Sequence, residues 1–124
     1  MILKEYLDKN YTKEQQNNLT MLSCSGEGIT SLEGIEQLVN LKYLHCTNNK
    51  LTSLKGIEQL VNLENLDCDN NKLSSLRGIE NLDNLKWLYC YNNPLPYSDL
   101  YNFSKLKSEL IKEVRQDKIK NLLL

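Results

Sequence analysis

Four cysteines, Cys24, Cys46, Cys68 and Cys90, recur at a fixed interval of 22 residues. A zinc site would need thiolates that converge, commonly as close C-x-x-C pairs. A disulfide framework would need pairs of Cys whose Cβ atoms face each other. A long constant interval instead gives every Cys the same place in a repeated unit, where a free thiol behaves as a small apolar side chain. No metal, disulfide or cofactor is therefore expected, and unpaired thiols point to a reducing compartment, so a cytoplasmic placement. Ser23, His45 and Asp67 stand at the same interval and are the residue types of a hydrolase triad. Set on successive strands they would form a row on a flat face, with no oxyanion donors and no water-excluding pocket. The hydrolase remains an alternative, but no catalytic residue is assigned and the chain is read as non-enzymatic.

The remaining chemistry-bearing residues fall into columns of the same period. One column is Met21, Tyr43, Asn65 and Trp87; the second is Ser23, His45, Asp67 and Tyr89; the third is Ser25, Thr47, Asp69 and Tyr91. Aromatic side chains beside hydrogen-bonding groups have the composition of a binding hot spot. Tyr43, His45, Asp67, Asp69, Trp87, Tyr89 and Tyr91 are the candidate partner-binding residues. The competing reading is that Tyr89 and Tyr91 pack under a C-terminal cap.

The elements that must position these columns follow from the repeat itself. Residues 41–62 read LKYLHCTNNKLTSLKGIEQLVN; 63–84 repeat them as LENLDCDNNKLSSLRGIENLDN, 19–40 as LTMLSCSGEGITSLEGIEQLVN, and a partial unit occupies 85–95. Such a period denotes a solenoid, whose units bury their apolar faces only by stacking. Each unit should open with a strand, 19–23, 41–45, 63–67 or 85–89, sending its second Leu and its Cys inward and the columns outward. Asn49, Asn71 and Asn93, three residues after each Cys, are placed to bond backbone groups of adjacent turns as an asparagine ladder. Glu27 stands there in the first unit, so the ladder should start late. Ser31, Ser53 and Ser75 are expected to cap short outer helical turns, with Gly34, Gly56 and Gly78 allowing close packing or a 3₁₀ turn.

The flanks differ. Ile2, Leu3, Tyr6 and Leu7 mark one face of a short helix, and Thr12 with Gln15 resembles a capping box, giving a helical cap over 1–18. Lys4, Glu5 and Asp8 argue against a signal peptide or membrane span. Pro94 and Pro96 stop the repeats, Ser98-Asp99 starts a new pattern, and Leu100, Phe103, Leu106, Leu110, Ile111, Val114, Ile119 and Leu122 predict a capping helix within 96–124. Its Lys, Arg and acidic residues, Glu113 and Asp117 included, are read as a solvated outer face, the alternative being a docking site for an acidic partner. Asn102-Phe-Ser104 fits the glycosylation pattern and is taken as chance in an Asn-rich chain.

The run Leu41, Leu44, Cys46, Asn49, Leu51, Leu54, Ile57 and Leu60 resembles the leucine-rich repeat family. Its spacing is similar to the subclass found in internalins and in a regulatory subunit of a eukaryotic protein phosphatase. The fold class is accordingly α/β: a solenoid with a parallel sheet on its concave side, short helices or 3₁₀ turns on its convex side, and helical caps. The resemblance implies a protein-interaction scaffold, an adaptor or inhibitor, and supplies no catalytic residues. A net charge of −1 and a pI near 5.8 exclude a general binder of nucleic acid or anionic membrane. With 124 residues there is room for one domain, as monomer or homodimer, or for a structural solenoid fragment without a dedicated ligand.

Overall fold

The period in the sequence is a period in space. The computed structural model describes residues 1–97 and 100–123, so Ser98-Asp99, where the new pattern was expected to begin, and Leu124 lie outside the described residues. Strands β1 (Met21–Ser23), β2 (Tyr43–His45), β3 (Asn65–Asp67) and β4 (Trp87–Tyr89) form one parallel sheet in sequence order. Their register pairs Met21 with Tyr43, Asn65 and Trp87, and Ser23 with His45, Asp67 and Tyr89. The strands are three residues each, because the Leu that opens every unit already belongs to the turn. Leu22, Leu44, Leu66 and the four Cys point inward and are buried, as are Leu32, Leu54, Leu76 and Ile35, Ile57, Ile79 from the outer arc. This single apolar column is the core.

Two asparagine ladders hold the turns together. In the inner one, Asn71 Nδ2 donates to Cys46 O at 3.0 Å and Cys68 O at 3.1 Å while its Oδ1 accepts from Leu51 N–H at 3.0 Å. Asn49 and Asn93 repeat the pattern. The outer one was not expected: Asn62 Nδ2 donates to Val39 O and Asn84 Nδ2 to Val61 O. Asn40 makes the same bond to Asn17 O in the N-terminal cap.

On the convex side 3₁₀ turns cover Ile35–Gln37 and Ile57–Gln59; in the third unit the same stretch is turn only. The serines do not cap these turns as expected. Ser31, Ser53 and Ser75 Oγ accept from the N–H two residues on, whereas the residue before each 3₁₀ turn is a glycine at φ 104° or 101°. A left-handed residue there leaves no place for a serine cap, and the carboxylates Glu36, Glu58 and Glu80 accept from the glycine N–H instead.

Helix α1 (Leu3–Asn10) and helix α2 (Lys13–Asn18) close the N-terminal end. Thr12 and Gln15 make the capping box, and Leu3 and Leu7 are buried against the first unit. Helix α3 (Phe103–Leu122) covers the other end. It starts at Asn102, whose side chain accepts from Lys105 N–H at 3.1 Å, later than the pattern near Asp99 suggested. Leu106 and Leu110 are buried, but Ile119 is 57% and Leu122 85% exposed; those two expected core positions project past the last repeat. Glu113 and Asp117 are only partly given over to solvent: both pair with Arg77, and Tyr97 Oη donates to Glu113 Oε2 at 2.6 Å.

Candidate functional site

Parallel pairing in strict register converts the first two sequence columns into rows on the concave face; the third lies just past the strands, where Thr47 Oγ1 donates to Ser25 Oγ at 2.9 Å and Tyr91 N–H to Asp69 Oδ1. In the first row Met21 is 50% exposed, Tyr43 39% and Trp87 48%. Asn65 lies between Tyr43 and Trp87, half-buried, and its Oδ1 is buried without a hydrogen-bond partner. In the second row Tyr89 is 40% exposed and His45 and Asp67 are half-buried. All seven candidate residues thus share one face, although not with equal freedom.

The carboxylates are partly committed to the backbone. Asp67 Oδ1 accepts from Asp69 N–H at 3.3 Å, and Asp69 Oδ1 accepts from Tyr91 N–H at 2.6 Å. Loss of water raises the Asp69 carboxyl above its ordinary range; the Tyr91 N–H bond opposes this, and the neighbouring Asp67 charge adds to it. Tyr91 stacks on Tyr101 with ring centroids 4.8 Å apart and planes 33° apart. Partial desolvation, then Tyr101, raises the Tyr91 phenol. The C-terminal segment therefore claims Tyr91, while Trp87 and Tyr89 border that segment and stay 48% and 40% exposed.

Ser23, His45 and Asp67 lie in register, yet among the described residues no hydrogen bond links any two of their side chains. Asp67 orients a backbone amide rather than an imidazole. The thiols are also placed away from reaction. Cys46 Sγ donates to Asp67 O at 3.4 Å, and burial pushes Cys46 and Cys68 well up, Cys24 to about 12 and Cys90 to about 11. Among the described residues no group of His, Cys, Asp or Glu is disposed to hold a metal ion.

Hollows adjoin the stack on both its sides. A small one of about 180 Å³ sits where β4 meets the C-terminal segment, lined by Trp87, Leu88, Tyr91, Leu100, Tyr101 and Phe103. It extends the aromatic face toward α3. Neither Leu100 nor Tyr101 was a candidate from sequence, because they lie beyond the periodic region and no column predicts them. A larger hollow of about 690 Å³ lies on the convex side between Ser31, Glu33, Glu36, Ser53, Lys55 and Glu58. Its Glu36 and Glu58 are bonded to glycine N–H groups, which makes it a seam between turns.

The chain was compared with known proteins. The family model for leucine-rich repeats in two copies matches residues 17–59 and 39–83. Among solved structures, an internalin (InlF) of Listeria monocytogenes strain 4b F2365 is similar at 33% identity with a TM-score of 0.67, over 79% of this chain and 30% of that one. A functional domain of Listeria monocytogenes InlJ, which includes a cysteine ladder, is similar at 41% identity and a TM-score of 0.63, over 70% of this chain and 19% of that one. This chain thus spans under a third of either internalin's length. No curated protein matches it. Among the described residues no helix is long and apolar enough to cross a membrane. The family-model match and the stacked 22-residue units, with their parallel sheet and asparagine ladder, agree: the chain belongs to the leucine-rich repeat family.

Proposed function

We propose that this protein is a non-enzymatic interaction module, an adaptor or inhibitor, which binds a protein partner through the concave face carrying Tyr43, His45, Asp67, Asp69, Trp87, Tyr89 and Tyr91. The observation that supports this most is the exposure of Met21, Tyr43, Trp87 and Tyr89 on one side of a sheet whose other side carries buried Leu22, Leu44, Leu66 and the four Cys. Solvent-facing positions that only had to be soluble would be polar, and large aromatic anchors are what dominate binding energy at interfaces.

Size constrains the mode. Four strands about 4.8 Å apart span roughly 20 Å, whereas a stable interface takes about 800 Å² from each partner. The loops around Asn48, Asn70 and Asn92, or the C-terminal segment beyond Tyr91, therefore contribute to the contact. The test is capture of the partner from an extract of the source cell, with the Trp87→Ala/Tyr89→Ala double variant as control. Both side chains are about half exposed, so each change should cost about 1–3 kcal/mol of packing, and circular dichroism should show the double variant still folded. Capture should be lost, and capture undiminished by the double variant overturns the assignment of this face.

A further inference from the structure

Helix α3 sorts its charges by side. Glu113 and Asp117 face the stack, where both pair with Arg77, and Glu109, one turn before Glu113, is half-buried. Lys112, Arg115, Lys118 and Lys120 are exposed. Among the described residues none of these four forms an ion pair: the remaining pairs join Lys13 to Asp8 and Lys86 to Glu64. A chain of net charge −1 thus carries, at one end, a surface on which cations stand without counter-ions.

The same surface is apolar. Ile119 is 57% exposed, Leu122 85% and Leu123 82%. Helical spacing accounts for the grouping: Arg115, Ile119 and Leu122 fall on one side of the helix. Leu106, Leu110, Glu113 and Asp117 fall on the other, the side that meets the repeats. Solvation alone accounts for the lysines. It does not account for three bulky aliphatic side chains within residues 119–123, which form a patch rather than a scattering of single exposures.

Charge distinguishes the occupants that could cover such a surface. A second copy of α3 would set cation against cation. A lipid surface takes in an apolar stripe whose cations lie at its margins, but Arg115 stands inside the row, one turn from half-buried Ile111 and one from Ile119. A protein can instead set carboxylates opposite the cations and apolar groups between them, and the planar guanidinium of Arg115 suits a bidentate carboxylate contact.

We propose that the outer face of α3 is a second docking surface, taken by an acidic amphipathic segment of a protein partner. Apolar side chains of that segment cover Ile119, Leu122 and Leu123, and its carboxylates meet Lys112, Arg115 and Lys118. This surface is additional to the concave face and does not depend on that face being a binding site.

The test is selection from a randomised displayed peptide library on the full chain, after depletion of the library on the Arg115→Glu/Lys118→Glu variant, so that only peptides needing this surface remain. Those recovered should combine Asp or Glu with large apolar residues. Arg115→Ala/Lys118→Ala should weaken their binding about tenfold or more, the scale of charge-assisted contacts, and Leu122→Ser/Leu123→Ser by a similar factor. All four side chains are exposed, so circular dichroism should show both variants folded. Trp87→Ala/Tyr89→Ala should leave the affinity unchanged; peptides lost with that variant belong to the concave face and count against the proposal. Peptides held by charge alone would ignore the leucine variant and be released by about 300 mM salt, which overturns it, as does a depleted library that yields no binder. Sedimentation of the chain with phosphatidylserine vesicles, lost in Leu122→Ser/Leu123→Ser, assigns the surface to a membrane and overturns it. A dimer in analytical ultracentrifugation, lost in the same variant, assigns it to a second copy and does so too.

Discussion

Asn71 shows how much one side chain can hold: it bonds Leu51 N–H, Cys46 O, Cys68 O and Asp69 O, with only 7% of its surface exposed. Its replacement strands several buried backbone groups at once, each at about 1–3 kcal/mol. Asn71→Ala should therefore lower unfolding free energy by about 3 kcal/mol or more in urea titration. Asn93→Ala, at a half-buried rung, should cost less. The ladder was legible in sequence, and the structure supplies the reason that Glu27 interrupts it. Every rung serves carbonyls of the preceding turn, and the first unit has no preceding Cys turn to serve; Asn49 Oδ1 accepts from Ile29 N–H as the other rungs do from their neighbours and from Glu27 N–H besides. What sequence did not reveal was backbone conformation. Asn48, Asn70 and Asn92 sit at φ 55–57°, and the equivalent position in the first unit is Gly26 at φ 73° with open space around its missing Cβ. Asn tolerates that left-handed region better than most residues. Gly26→Asn should thus fold within about 0.5 kcal/mol of the parent or slightly better. The thiols carry a pH prediction. Burial raises Cys90 to about 11 and Cys24 to about 12, against an ordinary 9.0. The folded state therefore disfavours the thiolate, so its stabilising share is complete below pH 9 and drains away as pH climbs through 11–12. The urea midpoint should fall between pH 8 and pH 10.5, and fall less in Cys90→Ala. Burial keeps the four thiols from solvent, so their being free does not by itself place the chain in a reducing compartment.

At the scale of elements, the outer turns are where sequence reasoning had the right residues in the wrong roles. Ser, Gly and Glu recur in each arc, and a serine before a helical turn is the usual cap; here glycine takes the position and the carboxylate caps it. Close stacking explains the choice. A Cβ on Gly78 would lie 2.8 Å from Ile57 Cγ2, at φ 110°, so clash and backbone strain coincide. Gly78→Ala should destabilise by about 2–4 kcal/mol by calorimetry or denaturant titration. Gly56→Ala, with Ile35 Cγ2 at 3.2 Å, should cost less. The candidate face was legible for a related reason: period-2 alternation inside a 22-residue repeat fixes which residues leave the core. Tyr101 and Leu100 were not, because their position depends on how an aperiodic segment folds back over β4. Nor did helical spacing show that α3 would run past its support at Ile119, since spacing defines a stripe and not the extent of what it rests on.

For the whole molecule, the two caps are attached in different ways. At the C-terminal end α3 is held by Leu106 and Leu110 and by a polar clasp in which Arg77 meets Glu113 and Asp117, while Tyr97 Oη accepts from Leu76 N–H at 3.2 Å and donates to Glu113. Exposed ion pairs contribute up to about 1 kcal/mol each. Arg77→Ala should leave the repeats intact while hydrogen exchange in 111–122 accelerates several-fold more than in 41–68. The N-terminal end imitates a repeat. Helix α1 lies where an earlier outer turn would be, with Lys4 Cβ only 2.9 Å from a Cβ built on Gly34, as Ile35 and Ile57 abut the next two glycines. Asn17 supplies the carbonyl that Val39 and Val61 supply farther along. Each seam thus asks the same few groups of whatever precedes it. Length becomes an adjustable quantity: a duplicate of 41–62 spliced between Asn62 and Leu63 would find familiar neighbours above and below, widen the sheet by about 4.8 Å, and raise the denaturation midpoint. A protein joined this way can enlarge its reach by gene duplication alone, without redesigning either terminus.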